Sequence, residues 1–439
     1  MFLVYSLLFS FGVLLMAPYY LWQHRGGARS STFWRERLGY LPRDFQPPAA
    51  SKAGGTIWVH AVSVGETLAV AGLVREIQKQ YPERKIFLSH ITPAGREASE
   101  ARLPNVAGRF YLPLDWKVCV TRTLRRLQPT LLLIAETELW PNLLRAGREF
   151  GCRIVIVNAR LSDGSFRGYR LLRPFMRRVL QNVDCIFAQT EIDAERFRQI
   201  GAPPERVFAV GNLKFDGTPP QVGELPGRLQ SVLQEAQRAP VLVAASTMPR
   251  EEPLVLRAWQ DIRDRYPRAL LILAPRHPVR FEKVAQLLSD QKRRFVRRTA
   301  LETGREELVS QLASPEILLL NTIGELAGLL QAADVVFIGG SLVSTGGHNL
   351  LEPAFWGKPV VFGPHMHNFR DAAEHFVRAG AAVQIQSPAQ LAAECIRLFG
   401  DAERRKELGG RARRVLQEES GATRRILERL RVSESPLIK

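Results

Sequence analysis

Ile57-Trp58-Val59-His60-Ala61-Val62-Ser63-Val64-Gly65-Glu66-Thr67, with Val70, Leu73, Val74 and Ile77 behind it, is the stretch that decides the fold. The run at 57–62 is nearly continuously apolar, as a strand covered on both faces requires. Val70, Leu73, Val74 and Ile77 fall at i, i+3, i+4 and i+7, one face of a helix. A covered strand that turns through a glycine into an amphipathic helix is the building block of a parallel sheet with helices on both sides. The block recurs. Apolar runs follow at 85–89, 131–135, 153–157, 185–188 and 207–210. After a break at Asp216-Gly217-Thr218-Pro219-Pro220 the alternation restarts, with runs at 241–245, 270–274, 317–320, 335–338, 359–362 and 382–385. The reading is two doubly wound α/β halves facing a cleft, with ligands at the carboxyl ends of the strands. A glycine followed by two prolines makes the interdomain hinge. The first domain is then 55–218 and the second 219–439, ending in a charged tail of helical pattern from about Asp401.

Residues 1–22 have a different character, with no charged side chain from Met1 to Trp22. That length crosses a hydrocarbon core of ~30 Å as a helix. His24, Arg25, Arg29, Arg35 and Arg37 form a basic flank, and Tyr19, Tyr20 and Trp22 suit the interfacial aromatic belt. A cleaved signal peptide is the alternative, but no cationic residue precedes the run, and Pro18 and bulky aromatics stand where small residues would be needed. The expectation is an N-terminal membrane-anchor helix over 1–22, a membrane-surface segment and linker over 23–54, and everything beyond it in the cytoplasm at the membrane surface.

The chain has 439 residues and a net charge of +18. Such an excess seeks a polyanion: nucleic acid, anionic lipid or a phosphorylated substrate. No RNA-recognition, zinc-finger or helix-turn-helix signature is present, so with the anchor the charge points to lipid phosphate rather than nucleic acid. Arg160, Arg167, Arg170, Arg173, Arg177 and Arg178 crowd one stretch of the first half, where they face acceptor phosphates or an anionic leaflet. Cys119, Cys152, Cys185 and Cys395 are scattered and read as reduced core residues.

Four segments carry chemistry. Glu66 follows Gly65 at a strand-to-helix turn; it either complements the helix dipole or faces the cleft as a general base. Ala135-Glu136-Thr137-Glu138-Leu139-Trp140-Pro141-Asn142 sets two acids at a strand's carboxyl end. Either Glu138 or Asn142 caps the next helix, or the acids, two apart in an extended segment, point together into the cleft. Lys214, in Gly211-Asn212-Leu213-Lys214-Phe215-Asp216, is either a solvated loop lysine or a point charge for phosphate.

The fourth segment, Gly339-Gly340-Ser341 through Gly346-Gly347-His348-Asn349-Leu350-Leu351-Glu352-Pro353, flanks a helix start with glycines. It is either a tight turn or an anion-binding set of backbone amides, with Pro353 suited to the first helical position and Glu352 to ribose hydroxyls. Ala274-Pro275-Arg276-His277-Pro278 offers a cation and Asn321-Thr322-Ile323-Gly324-Glu325-Leu326 a turn with free amides. His348, His365 and His367 match no standard zinc spacing, and no D-x-D lies near a strand end, so no metal site is expected.

Taken together, W-V-H-A-V-S-V-G-E-T, A-E-T-E-L-W-P-N, V-N-A-R-L-S, G-N-L-K-F-D, A-P-R-H-P, N-T-I-G-E-L and G-G-S-L-V-S-T-G-G-H-N-L-L-E-P resemble, in order and over nearly the whole chain, the 3-deoxy-D-manno-octulosonic acid (Kdo) transferases of lipopolysaccharide assembly. The resemblance implies a GT-B fold of two Rossmann-like domains, an acceptor-binding one and a nucleotide-sugar-binding one. It implies CMP-Kdo as donor, a co-substrate rather than a cofactor, and the phosphorylated lipid A precursor (lipid IVA) as acceptor at the cytoplasmic face of the inner membrane. It puts the catalytic base on Glu66 and transition-state stabilisers on Glu136 and Lys214. CMP contacts fall on Pro275, Arg276, Ile323, Gly324, Glu325, Asn349, Leu350, Leu351 and Glu352. The family's usual Met is Ile323 here, at a contact expected to be made by backbone. The reaction expected is an inverting, metal-independent displacement. The competing readings are another GT-B nucleotide-sugar enzyme at the membrane and a non-catalytic lipid-binding protein, which would not need carboxylates at its strand ends.

Overall fold

The computed structural model describes residues 1–23, 28–45, 55–216, 223–302 and 304–432. The chain divides into two units, Met1–Asp216 with Glu419–Lys439, and Gly217–Glu418. Each is built on a seven-stranded sheet whose strand pairs are all parallel.

In the first unit the strands are β1 (Thr56–His60), β2 (Ile86–His90), β3 (Gly108–Tyr111), β4 (Pro129–Ala135), β5 (Arg153–Ala159), β6 (Cys185–Ala188) and β7 (Val207–Ala209), in the order β3-β2-β1-β4-β5-β6-β7. Strand order reverses between β1 and β4, the switch point at which such sheets bind ligands beyond their carboxyl ends. All five residues of β1 are buried. Alternation divides them between two cores: Trp58 packs with Phe87, Phe110, Leu132 and Ile134 on one face, Ile57 and Val59 with Leu73, Val74 and Leu88 on the other. Val70, Leu73, Val74 and Ile77, the face read from spacing, are 0% exposed on the helix Val64–Gln80.

The second unit contains β8 (Val241–Thr247), β9 (Leu270–Pro275), β10 (Phe295–Arg297), β11 (Ile317–Leu319), β12 (Val335–Ile338), β13 (Val360–Phe362) and β14 (Val383–Gln384), in the order β10-β11-β9-β8-β12-β13-β14. Its switch point lies between β8 and β12. The core around Trp259, Phe337, Leu271 and Leu273 lies between that sheet and its helices. All four cysteines are free and buried.

Two expectations are corrected, and a third is met in part. The second domain does not run to the end of the chain. The helix Ala422–Val432 belongs to the first unit, where Ala422, Ile426, Leu427 and Leu430 are buried with Val70, Leu73 and Val210. Its amino terminus is capped from a distance: the Asp216 carboxylate accepts from the amides of Gly421 (2.5 Å), Ala422 (3.2 Å) and Thr423. Arg425 Nε also donates to the Val210 carbonyl at 2.7 Å. The glycine and prolines of the expected hinge, 217–220, lie outside the described residues.

Second, 23–54 is more than a linker. Ala28–Arg37 is a helix packed on β3, and its buried Glu36 accepts from Arg96 Nη1 at 3.0 Å and from the Tyr111 amide at 2.9 Å. Residues 24–27 and 46–54 lie outside the described ones.

Third, the N-terminal run is a helix, Phe2–Gln23, but among the described residues no helix is long and apolar enough to cross a membrane. One side of its first turns is docked on the first unit. Tyr5 Oη donates to Asp115 Oδ2 (2.9 Å), Ser6 Oγ accepts from Asn142 Nδ2 (3.0 Å), and Ser10 Oγ accepts from Trp116 Nε1 (2.9 Å). Phe9 packs edge-on against Trp116 and Trp140. The other side leaves Leu3, Val4, Leu7, Leu8, Phe11, Leu14, Leu15 and Met16 exposed.

Candidate active site

In the first unit the site residues collect at the carboxyl ends of β1 and β4 and in the turn after β7. Ser63 ends the β1 segment in extended conformation and caps the helix Val64–Gln80. Its Oγ accepts from the Glu66 amide at 3.4 Å and donates to Glu66 Oε1 at 3.0 Å, while the Val62 amide donates to Glu66 Oε2 at 2.8 Å. This resembles a capping box, with the carboxylate returning to the Ser63 hydroxyl and the Val62 amide rather than to the cap's own N–H, so the helix-terminus role expected of Glu66 is real. It does not exhaust the residue. Burial, with the charges of Glu136 and Glu138, outweighs the two donors and raises the carboxyl to about 7. A carboxyl that titrates near neutrality, partly open to solvent, has the property a general base needs.

Glu136 follows β4 with φ +54°, a left-handed conformation that is uncommon away from glycine and gathers at functional sites. The segment is therefore a turn rather than extended, yet both acids lie near enough to Glu66 for their charges to raise its carboxyl. Glu136 Oε1 lies 3.4 Å from Lys214 Nζ. Glu138 accepts from Trp140 Nε1 at 2.9 Å and lies 3.9 Å from the buried His60 Nε2. His60 is held by its other nitrogen, 2.9 Å from Ser89 Oγ, which also accepts from Trp58 Nε1 at 2.7 Å. Neither Glu138 nor Asn142 caps the next helix, Pro141–Glu149. Asp115 does so, accepting from the Asn142 and Leu143 amides at 3.0 and 2.8 Å. Burial pushes this carboxyl up to about 6 despite those donors. Lys214 sits in the short 3₁₀ turn Leu213–Asp216. The structure thus brings Glu66, Glu136 and Lys214 into one neighbourhood, keeps Glu138 beside them, and adds His60, which the sequence did not assign.

In the second unit Pro275 and Arg276 end β9, Ile323–Glu325 follow β11, and Asn349–Glu352 lie beyond β12. Pro275 is buried and Arg276 exposed, its amide donating to the Thr247 carbonyl at 2.9 Å. Ile323 is 78% exposed and Gly324, also exposed, has φ +90°, so both the side chain and the backbone of this turn are open. Glu325 is already paired, accepting from Arg298 Nε and Nη2 at 3.1 and 2.8 Å and from Thr322 Oγ1. Leu350 and Leu351 are core residues, which leaves only their backbone to a ligand. Asn349 Oδ1 accepts from the Leu351 amide (3.0 Å), and Nδ2 donates to Glu352 Oε1 (3.2 Å). The helix there, Leu351–Phe355, begins before Pro353 rather than at it. Burial and the charges of Arg276 and His277 lower the His348 pKa to about 4, so the ring is neutral in that cationic surrounding.

The glycine turn after β12 departs most from expectation. Its amides do point inward as an anion nest, but the chain fills the nest itself. Glu251, 0% exposed, accepts from Gly340 (2.6 Å), Ser341 (3.1 Å), Leu342 (3.0 Å) and Met248 (3.1 Å). Those amides are not available to a nucleotide phosphate. Glu251 comes from the start of the helix Glu252–Arg265, 89 residues away, and no local pattern announces it.

Two parallel α/β units with charged side chains at strand carboxyl ends are an architecture shared with sugar-processing enzymes. A glycosyltransferase from Rickettsia africae ESF-5 superposes with a TM-score of 0.52 over 88% of this chain and all of its own, at 10% identity. A UDP-N-acetylglucosamine 2-epimerase does so with a TM-score of 0.54 over 86% of this chain and 96% of its own, at 15% identity. These likenesses are of fold. Sequence goes further. The family model described as 3-deoxy-D-manno-octulosonic-acid transferase (kdotransferase) matches residues 32–217. A 3-deoxy-D-manno-octulosonic acid transferase of Haemophilus influenzae is 34% identical over 90% of this chain and 90% of its own length. One of Bordetella pertussis is 34% identical over 94% of this chain and 95% of its own. The chain belongs to the 3-deoxy-D-manno-octulosonic acid transferases, a family of glycosyltransferases.

Proposed function

We propose that this enzyme transfers Kdo from CMP-Kdo to the phosphorylated lipid A precursor, lipid IVA, at the cytoplasmic face of the inner membrane. The observation that carries the reading is the Glu66 carboxyl, raised to about 7 beside an Glu136–Lys214 ion pair. In this reading an acceptor sugar hydroxyl attacks the anomeric carbon of Kdo. The new C–O bond forms as the bond to CMP breaks, the hydroxyl proton passes to Glu66, and CMP leaves with the bonding electrons. Direct displacement inverts the anomeric centre. General-base assistance of this kind contributes ~10²–10⁴-fold. Lys214, held against Glu136, stabilises negative charge in the transition state. Arg276 and the exposed Ile323-Gly324 turn belong to the donor's CMP, with Asn349 and Glu352 at its ribose. No metal is required in this scheme, because fixed cations meet the leaving phosphate.

The membrane surface is met by the undocked side of the helix Phe2–Gln23. Its exposed Leu3, Leu7, Phe11 and Leu14 suit a helix lying in the interface rather than crossing it. Exposed Leu171 and Leu172, next to Arg170 and Arg173, and the chain's +18 charge favour an anionic leaflet.

The test is mass spectrometry of lipid IVA incubated with CMP-Kdo and enzyme, with and without EDTA. Addition of Kdo units in both conditions is expected. CMP-Kdo unchanged beside unmodified acceptor would overturn the assignment, and turnover lost to EDTA and restored by Mg²⁺ would overturn the metal-independent scheme.

A further inference from the structure

One motif of the sequence has no part in the scheme above: V-N-A-R-L-S at the end of β5. Within it Asn158 is 0% exposed, has φ +55° and lies where the pairing of β5 with β6 shifts register between Ile156 and Ala159. A buried, left-handed, non-glycine residue in a bulge is conformationally costly, and such residues re-aim what they carry.

Both members of the Glu136–Lys214 pair hang from this bulge. The Glu136 amide donates to the carbonyl of Val157 at 2.9 Å. The next residue's side chain holds the other partner's turn, as Asn158 Oδ1 accepts from the Leu213 amide at 2.9 Å. A second path closes the loop. Gln189 Nε2 donates to the Asn158 carbonyl at 3.0 Å, Asn212 Nδ2 donates to Gln189 Oε1 at 3.0 Å, and Asn212 Oδ1 accepts from the Lys214 amide at 2.9 Å. Gln189 and Asn212 are each 7% exposed. Three buried amide side chains from three separate segments thus converge on one short turn. Asn158 Nδ2 is buried without a partner, but the other side-chain polar atoms of the three are paired, and a shift of any of them leaves its partner unpaired.

We infer that Asn158, Gln189 and Asn212 are positioning residues that set the separation of Lys214 from Glu136. The inference rests on the catalytic reading of that pair. The three amides make no hydrogen bond to the ammonium or the carboxylate; their side chains act on turnover through the turn that carries Lys214, while Glu136 hangs from the Val157 carbonyl.

The test uses the full chain with Asn158→Gly, which tolerates the left-handed backbone and removes only the amide, and with Gln189→Met, which keeps side-chain length and removes both links. Each is expected to lower kcat by about tenfold to a hundredfold. In a Lys214→Ala background the same substitutions are expected to cost less than about twofold, because the group they position is gone. Acetylation of Lys214, followed by mass spectrometry without any substrate, is expected to quicken severalfold in both variants. Equal losses with and without Lys214 would overturn the inference, as would unchanged kcat and unchanged labelling. If the parent enzyme transfers no Kdo while labelling still responds, the catalytic reading fails and the positioning network stands.

Discussion

Two carboxylates at corresponding places in the two units, each bound to backbone amides beside a glycine turn, have opposite fates. Glu66 takes one amide and one hydroxyl, both from its own turn, and stays partly open with its carboxyl at about 7. Glu251 takes four amides, three of them from a turn 89 to 91 residues away, and is 0% exposed. Burial raises the Glu251 pKa as well, but there the amides oppose it from every side. The contrast separates a reactive acid from a structural one. A carboxylate that the fold satisfies fully is a strut, whereas one left short of donors and near other negative charges is available for proton transfer.

The largest effect expected from breaking this contrast is on turnover. Glu66→Gln should keep the Val62 bond and the fold while lowering kcat by about 10²–10⁴-fold, measured by steady-state transfer assays. Near-normal turnover would assign the proton to another group. Glu251→Gln should do the reverse. An amide has one acceptor oxygen for four donors, so stability should fall by about 3 kcal/mol or more in urea melts, with the loss visible before any substrate is added. A third, smaller effect sharpens the comparison. Because a base acts ionised, kcat/KM, which reports the free enzyme, should rise about tenfold per pH unit below about 7 and level off above it. Glu138→Gln, which removes one repelling charge, should move that midpoint to lower pH.

Linkage gives the same group a stability signature. The folded-state pKa of Glu66 is raised from 4.5 to about 7, so its contribution is intact below pH 4.5 and is lost as pH rises through 7. Glu66→Gln should therefore gain in melting temperature relative to the parent at pH 8 over its standing at pH 4. The smallest effect concerns an intermediate case, Asp115, with two amides, one tyrosine hydroxyl and a carboxyl at about 6. Tyr5→Phe should cost about 1 kcal/mol by the same melts and leave detergent-phase kcat unchanged.

What the sequence disclosed follows range. Strands with apolar runs declare themselves, and all twelve of the expected runs fall within a residue or two of β1, β2, β4 to β9 and β11 to β14. The edge strands β3 and β10 were not read. Gly108–Tyr111 buries one of four side chains and Phe295–Arg297 none, so no apolar run marks them. The same division holds in the site. Glu66, Glu136 and Lys214 were legible from their places beside strand ends and from the family motifs. Glu251, Asp115 and the Asn158–Gln189–Asn212 set were not, since each is defined by a partner distant in sequence. Glycines at 339 and 340 announced an anion nest correctly, and only the fold showed that its anion is already in the chain.

The return of the C-terminal helix to the first unit bears on synthesis. A domain encoded in one stretch can close as it leaves the ribosome, and amino-terminal domains usually do. Here the apolar side of Val70, Leu73 and Val74 awaits Ile426, Leu427 and Leu430, which are made only after the whole second unit. Until the helix Ala422–Val432 has left the ribosome, the half that carries the proposed base has an open seam, exposed to chaperones, to proteases and to other copies of itself. A chain ending at Glu418 would lose the lid of its first-built domain and keep the whole of the second unit.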